Sequence, residues 1–330
     1  MKRSFVAMLA VGALIAVGCG TSSSTSTTPA PESAGDTVTF PLTFDNCGTM
    51  VTLPSRPQRV LTIGTPAVDA LYLAGAVDAV MARAGEYDVA ATGPAGAAVE
   101  SKPVIDAMQP TLEAIIGTKA DMVIGYGLGK TTADALDRVG ISHYILSGYC
   151  GSSESGTGTG DGAQVQDLYT DQEFLGGVFG TTQQANQAAA DLKKRVDAVA
   201  AAEPAGNRTT AAAVYFLGDA TYTYGEKGIV TDEMRVLGLT NVLAEVDQSV
   251  ELNRESLIAT NPDVIIVIYG YEAGDTFEKA RQQLLDLPGV AGMTAVQNNA
   301  LVGLTGPEAE ASPIAVDGIE RMARELDRSS

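Results

Sequence analysis

An α/β fold of two Rossmann-like lobes joined by a single long α-helix is predicted by three observations. Short apolar runs alternate with helical patterns from residue 59 to 146 and again from 211 to 327. Between these stretches, residues 165–202 contain no proline and are rich in Ala, Gln, Leu and Lys. At 330 residues the chain has room for about two domains of ~150 residues, and its 45% apolar content supplies each with a core.

The elements follow in order. Val38–Asp45 and Met50–Leu53 flank Asn46-Cys47-Gly48 as a hairpin-like edge. Arg59–Ile63 reads as a strand, Val68–Ala74 as a helix and Val77–Ala82 as a strand. Helix Leu112–Ile116 precedes strand Asp121–Ile124, and helix Thr132–Val139 precedes strand His143–Leu146. Strand–helix–strand repetition predicts a parallel sheet covered on both faces. A Gly/Ser/Thr loop, Gly151–Gly162, breaks the pattern. Gln183–Ala201 has the composition of an uninterrupted helix, whereas Gly176, Gly177 and Gly180 interrupt the preceding residues. Alternation resumes with strand Ala211–Leu217, helix Asp232–Leu237, strand Asn241–Ala244, helix Arg254–Ala259, strand Asp263–Tyr269, helix Thr276–Asp286, strand Ala300–Leu304 and helix Ile314–Asp327. The expected segments are a leader (1–18), a tether (19–36), a first lobe (37–164), a connecting helix (165–203) and a second lobe (204–330).

Lys2 and Arg3 precede an uncharged run from Phe5 to Gly18, too short for a bilayer-spanning helix of ~20 residues but suited to a secretory leader. The run closes on Ala16-Val17-Gly18-Cys19, which resembles the lipobox of bacterial lipoproteins. That resemblance implies diacylation of Cys19 and anchoring on the extracytoplasmic face of the membrane. Residues 20–35 are almost all Ser, Thr, Pro, Ala and Gly, the composition of a flexible tether. An exported chain folds in an oxidising compartment, so Cys47 and Cys150 are expected to form a disulfide. The formal charge of −19 repels polyanions and argues against nucleic-acid partners.

Catalytic patterns are missing from the sequence. Gly125-Tyr126-Gly127-Leu128-Gly129-Lys130-Thr131 looks like a phosphate loop, but the Walker pattern requires glycine where Ile124 stands. There is no Gly-x-Ser-x-Gly elbow, and the single histidine, His143, falls inside a strand, which also argues against histidine-based metal capture. The expectation is a binding protein, with neither resident cofactor nor catalytic residues.

Pro57-Gln58-Arg59-Val60-Leu61, then Pro110-Thr111-Leu112-Glu113 before Ala120-Asp121-Met122-Val123-Ile124, recur in kind as Asn261-Pro262-Asp263-Val264-Ile265-Ile266 and a closing Asp317-Gly318-Ile319-Glu320. From residue 37 to 330 the chain resembles the siderophore- and vitamin-B12-type (class III) periplasmic binding proteins of ABC importers. The resemblance implies a monomer that captures a ferric siderophore or similar chelate between its lobes and hands it to a membrane permease. Haem and cobalamin are the alternative solutes, and a non-transport surface lipoprotein is the alternative role. In that family each lobe shows an acid on its top surface, six positions before a glycine, for the permease to grip. Asp69 precedes Gly75 by six and Asp232 precedes Gly238 by six. Helix N-terminal acids favoured by the macrodipole are the competing explanation of both.

Ligands of open α/β sheets bind off the carboxyl ends of the strands. On that rule the first lobe offers Thr65, Arg83, Glu86, Tyr87, Tyr126, Lys130 and Tyr149. The second offers Tyr222, Tyr224, Lys227, Tyr269, Tyr271, Glu308 and Ser312. Seven of the chain's 11 tyrosines are in this set, and rigid rings with a hydroxyl suit a large, partly polar chelate. Acidic residues beside the three basic candidates favour a near-neutral hydroxamate or mixed chelate over an anionic catecholate.

Overall fold

The first ordered element is a hairpin of β1 (Leu42–Asn46) and β2 (Thr49–Leu53), with Asn46 opposite Thr49. Its turn residues Cys47 and Gly48 have φ of 54° and 80°, the geometry that matches right-handed strand twist in a two-residue loop. The computed structural model describes residues 38–86, 91–151, 162–202, 207–244, 249–272 and 274–328. The leader, the tether, Cys19 and Tyr87 lie outside the described residues.

Lobe one is a parallel sheet of β3 (Val60–Ile63), β4 (Val80–Ala84), β5 (Val104–Asp106), β6 (Met122–Gly125) and β7 (Ser142–Ile145), ordered β5-β4-β3-β6-β7. Because the first of these strands is central and later ones are added on either side, a crevice opens between the carboxyl ends of β3 and β6. Helices α1 (Thr65–Leu73), α2 (Gly93–Val99), α3 (Leu112–Thr118) and α4 (Ala133–Arg138) intervene. Thr111 and Thr132 cap the last two, each hydroxyl accepting an N–H at 3.3 Å. The expected strand from Val77 instead begins as a 3₁₀ turn and becomes extended at Val80, where pairing with Val60 starts. His143 is buried within β7. The hairpin is bound to this edge strand by Asn46, whose side chain both donates to and accepts from the Ile145 backbone at 2.8 Å.

The connecting segment differs from the single helix expected over 165–203. It folds as α5 (Val165–Phe179) and α6 (Thr182–Ala200), separated at Gly180, whose φ of 75° ends α5 in a left-handed cap. Gly176 stays helical because Ala185 of α6 packs directly on it, leaving no room for a Cβ. The run Gln183–Ala201 nonetheless falls almost wholly within one unbroken helix. Near its start Gln184 lies against Gly75 of lobe one, and farther along Arg195 pairs with Glu320 of lobe two at 2.9 Å. Nineteen residues rise about 28 Å, so α6 is the strut between the lobes.

Lobe two holds β8 (Thr210–Leu217), β9 (Ala220–Tyr224), β10 (Thr240–Asn241), β11 (Ser249–Glu251), β12 (Val264–Tyr269) and β13 (Leu301–Thr305). β8, β12 and β13 are parallel, and β10 pairs only with the start of β8, shorter than the expected Asn241–Ala244. Beyond Val214, where its ladder with β12 ends, β8 pairs antiparallel with β9, which pairs with β11. Helices α7 (Ile229–Val236), α8 (Arg254–Thr260), α9 (Phe277–Asp286), α10 (Thr294–Gln297) and α11 (Ala315–Arg328) cover the sheet. One buried apolar cluster runs from Leu61 and Ile124 through Leu175, Leu192 and Val196 to Ile266 and Ile319. A second, including Val214, Ile265 and Leu284, fills the other face of the lobe-two sheet. A core continuous through the connector makes the lobes resist large separation.

Candidate functional site

Strand carboxyl ends of both lobes face one cavity of about 460 Å³. Lobe one contributes Gly64, Thr65, Pro66, Gly85, Glu86 and Tyr126. Lobe two contributes Tyr215, Leu217, Tyr224, Tyr271, Glu272, Gly306, Pro307 and Glu310. The volume is within the range of small-molecule sites, about 300–1,000 Å³.

Glycine makes the aromatic walls possible. A Cβ on Gly64, whose φ is +89°, would meet the Tyr126 ring at 2.3 Å, and one on Gly306 would meet the Tyr271 ring at 2.8 Å. Each lobe therefore lays a tyrosine flat against a glycine that ends a strand, Gly64 after β3 and Gly306 after β13. Tyr215 is packed between Tyr222, Tyr224 and Tyr271, with ring centroids 5.1–5.2 Å away. The hydroxyls of Tyr224 and Tyr271 share a hydrogen bond of 2.7 Å. Burial, reinforced by Tyr271 and Glu310 around Tyr224 and by Glu310 near Tyr271, pushes both phenols well above their ordinary range. They enter the cleft protonated, as hydrogen-bonding groups.

Across the floor, the Tyr149 hydroxyl of lobe one donates to Oε2 of Glu310 in lobe two at 2.6 Å. The turn that carries Tyr149 is fixed from behind. Asp171 of α5 accepts hydrogen bonds from Tyr144 Oη at 2.7 Å, Ser147 N at 3.1 Å and Ser147 Oγ at 2.6 Å. Cys150 is disulfide-bonded to Cys47, their Cα atoms 5.0 Å apart. Burial raises the Asp171 carboxyl to about 6 despite these donors.

Of the expected cleft residues, the structure brings Thr65, Glu86, Tyr126, Tyr224 and Tyr271 to the cavity wall. The others sit elsewhere for identifiable reasons. Arg83 is buried behind Glu86, donating Nη1 to both of its oxygens at 3.0 and 2.9 Å. Burial raises the Glu86 carboxyl, opposed by Arg83. Tyr149 lies beneath the wall, and Tyr222 stacks behind Tyr215. Tyr269 accepts from Arg321 at 3.1 Å and packs on Phe277, away from the cavity. Glu308 caps its own turn, taking Thr305 N at 2.8 Å and Thr305 Oγ at 2.7 Å, and pairs with Arg321. Ser312 is buried, its Oγ accepting from Ile314 N at 3.3 Å. Lys130 is exposed outside the lining, and Lys227 accepts Ala163 N through its carbonyl, also outside it.

Of the two acids expected on the top surfaces, one is buried and the other is half-buried and paired. Asp69 is 6% exposed, one of its carboxylate oxygens has no hydrogen-bond partner, and desolvation raises it to about 7. Asp232 is engaged, accepting Val165 N at 2.8 Å and pairing with Arg235 at 3.2 Å. Among the described residues no helix is long and apolar enough to cross a membrane, and no group of three His, Cys, Asp or Glu is placed to hold a metal ion.

Comparison with known proteins agrees with this architecture. A cobalamin-binding protein of Halobacterium salinarum is 25% identical over 237 residues, 69% of this chain but only 58% of that protein. The chain thus spans less than two thirds of that relative's length. An uncharacterized ABC transporter substrate-binding lipoprotein of Bacillus subtilis is 20% identical over 281 residues, 82% of each chain. The crystal structure of an ABC-type Fe3+-hydroxamate transport system from Saccharomonospora viridis superposes with a TM-score of 0.72 at 27% identity, covering 87% of this chain and 99% of that one. Residues 60–307, most of the two-lobed unit, match the family described as periplasmic binding protein, and the chain belongs to it.

Proposed function

We propose that the protein is the extracytoplasmic solute-binding lipoprotein of an ABC importer, anchored through Cys19, and that it captures a ferric siderophore for delivery to a membrane permease. The observation that carries this reading is the cavity of about 460 Å³ at the strand ends of both lobes, walled by Tyr126, Tyr215, Tyr224 and Tyr271. Aromatic faces match the apolar rim of a hydroxamate or mixed chelate, and hydroxyls match its oxygens. No bond needs to be made or broken in such a site. Ligand contacts to both lobes favour the closed arrangement, and the continuous core through α5 and α6 limits closure to a small hinge motion.

Cobalamin is the second reading, favoured by the Halobacterium relative. One experiment separates them. The chain has 11 tyrosines and no tryptophan, and four of those rings line the cavity, so its own fluorescence responds to a solute bound there. The full chain in mild detergent is titrated with a ferric hydroxamate, a ferric catecholate, haem and cobalamin. Saturable one-to-one quenching by the hydroxamate, tighter than by the other three, is the expected result. Preferential binding of cobalamin or haem would replace the siderophore reading.

A further inference from the structure

A second recess shares no lining residue with the solute cavity. It is a groove of about 320 Å³ where α1 and α2 of lobe one, the strut α6 and the segment entering α11 of lobe two meet. Its walls are largely apolar, built from Tyr72, Leu73, Pro94, Leu192, Pro313 and Ile314. Three charged residues border it: Asp69 from α1, Arg195 from α6 and Asp317 from α11. The part of α2 that faces the groove carries no charge.

The charges around the groove do not balance. Arg195 is committed to Asp317 at 2.5 Å and to Glu320 at 2.9 Å. Asp69 is 6% exposed, and its Oδ1 has no hydrogen-bond partner. Burial is the one influence on its titration, so no neighbouring cation reaches it. A buried carboxylate left in that state is stabilised by whatever brings it a positive charge and donors. Glu233 is also buried without partners, but at 0% exposure it is wholly enclosed, whereas Asp69 borders open space. A carboxyl so recessed is within reach of a slender group and out of reach of a flat protein surface.

We infer that this groove is a second binding site, for a small primary ammonium ion on an apolar stem, with Asp69 as its counter-charge. The ammonium brings three donors and the missing cation, and the stem lies along Leu73, Leu192 and Ile314. Asp317 already has its cation in Arg195, so it is the weaker attractor of the two acids. The site stands whatever solute the main cavity takes.

The test titrates the full chain in mild detergent, by calorimetry, with n-pentylamine, n-pentanol and n-pentanoate, subtracting heats into detergent buffer alone. The three probes share a stem and differ in charge. At pH 8 the amine should bind about tenfold or more tightly than the alcohol, and the carboxylate more weakly than either. The amine stays charged from pH 5 to 8, as lysine does, whereas Asp69 titrates at about 7. Its preference over the alcohol should therefore fall to within about threefold at pH 5. Asp69→Asn keeps the shape and should remove the preference at pH 8. Asp317→Asn should leave at least half of it, and Tyr271→Ala, in the main cavity, should leave it whole. Equal binding of amine and alcohol by the parent, or no binding of either, overturns the inference and leaves the proposed function untouched. A preference that survives Asp69→Asn, or disappears with Asp317→Asn or Tyr271→Ala, overturns the assignment to Asp69. The comparison of probes on the parent needs no variant, so a misfolded variant does not protect the inference.

Discussion

The two lobes enclose the same cavity with different materials. Lobe one presents a platform of backbone and small groups, Gly64, Thr65, Pro66 and Gly85, with a single ring, Tyr126. Lobe two presents a wall of Tyr215, Tyr224 and Tyr271 with two carboxylates. The difference has a topological origin. The five-stranded sheet of lobe one is parallel throughout, so only the first residues after each of its strands reach the crevice. In lobe two β8 outruns its parallel ladder at Val214 and turns into an antiparallel hairpin with β9, which lifts whole rows of side chains to the rim. Lobe one is also the stapled half, its hairpin and edge joined by Cys47–Cys150, whereas no disulfide lies within lobe two. A rigid platform facing an aromatic wall suggests that solute recognition is concentrated on lobe two.

Removing the staple should have the largest effect. The bridge closes a loop across a sequence separation of 103 residues, which in the chain-entropy model stabilises by about 4–5 kcal/mol. Cys47→Ser with Cys150→Ser should lower the denaturant midpoint accordingly, and hydrogen exchange should show protection lost first around β7 and the hairpin. If lobe two loses protection equally, the lobes unfold as one and the contrast between them is weaker than their architecture implies.

Asp69 tests whether burial or display governs the acid of lobe one. Its folded pKa of about 7 lies above the ordinary 3.8, so the protonated form is the one the fold favours. The stability it contributes is complete below about pH 4 and is lost as pH rises through 7. At 1.36 kcal/mol per pH unit the span amounts to roughly 4 kcal/mol, an upper bound because water penetration reduces it. Asp69→Asn, measured by thermal unfolding across pH, should be more stable than the parent at pH 8 and indistinguishable from it at pH 4. A pH-independent difference would mean that the carboxylate is solvated and open to a partner.

Much of the fold was legible because period-2 and period-3.6 patterns change cleanly at Pro, Gly and Asn. Less of the cleft was. β9 is not among the expected strands, although Gly218-Asp219 is a two-residue hairpin signal joining Leu217 to Ala220. Tyr215 is not among the expected cleft residues because it lies inside β8 rather than at a strand end, yet just past the end of the parallel ladder. Glu308 is among the expected cleft residues and Glu310 is not, although Thr305 three residues before Glu308 forms a capping box that consumes its carboxylate. The burial of Asp69 and the pairing of Arg83 with Glu86 were not readable, since both depend on which helix face another element covers.

The smallest expected effect gives the sharpest comparison, because it sets one cavity-lining residue of each lobe against the other. Tyr271→Ala removes a ring that packs on Gly306 and Tyr215 and a hydroxyl that bonds Tyr224. Truncating a central aromatic of this kind costs about 2 kcal/mol of binding, or roughly thirtyfold in affinity. Thr65→Ala removes one hydroxyl from the platform without disturbing Pro66, which sits in the first turn of α1 where no intrahelical N–H bond is lost, so the loss should stay within about threefold. Titrating both variants with whichever of the four solutes binds the parent most tightly measures the asymmetry directly. Comparable losses would place recognition on both lobes, and the antiparallel extension of β8 would then be a rim rather than the reading surface.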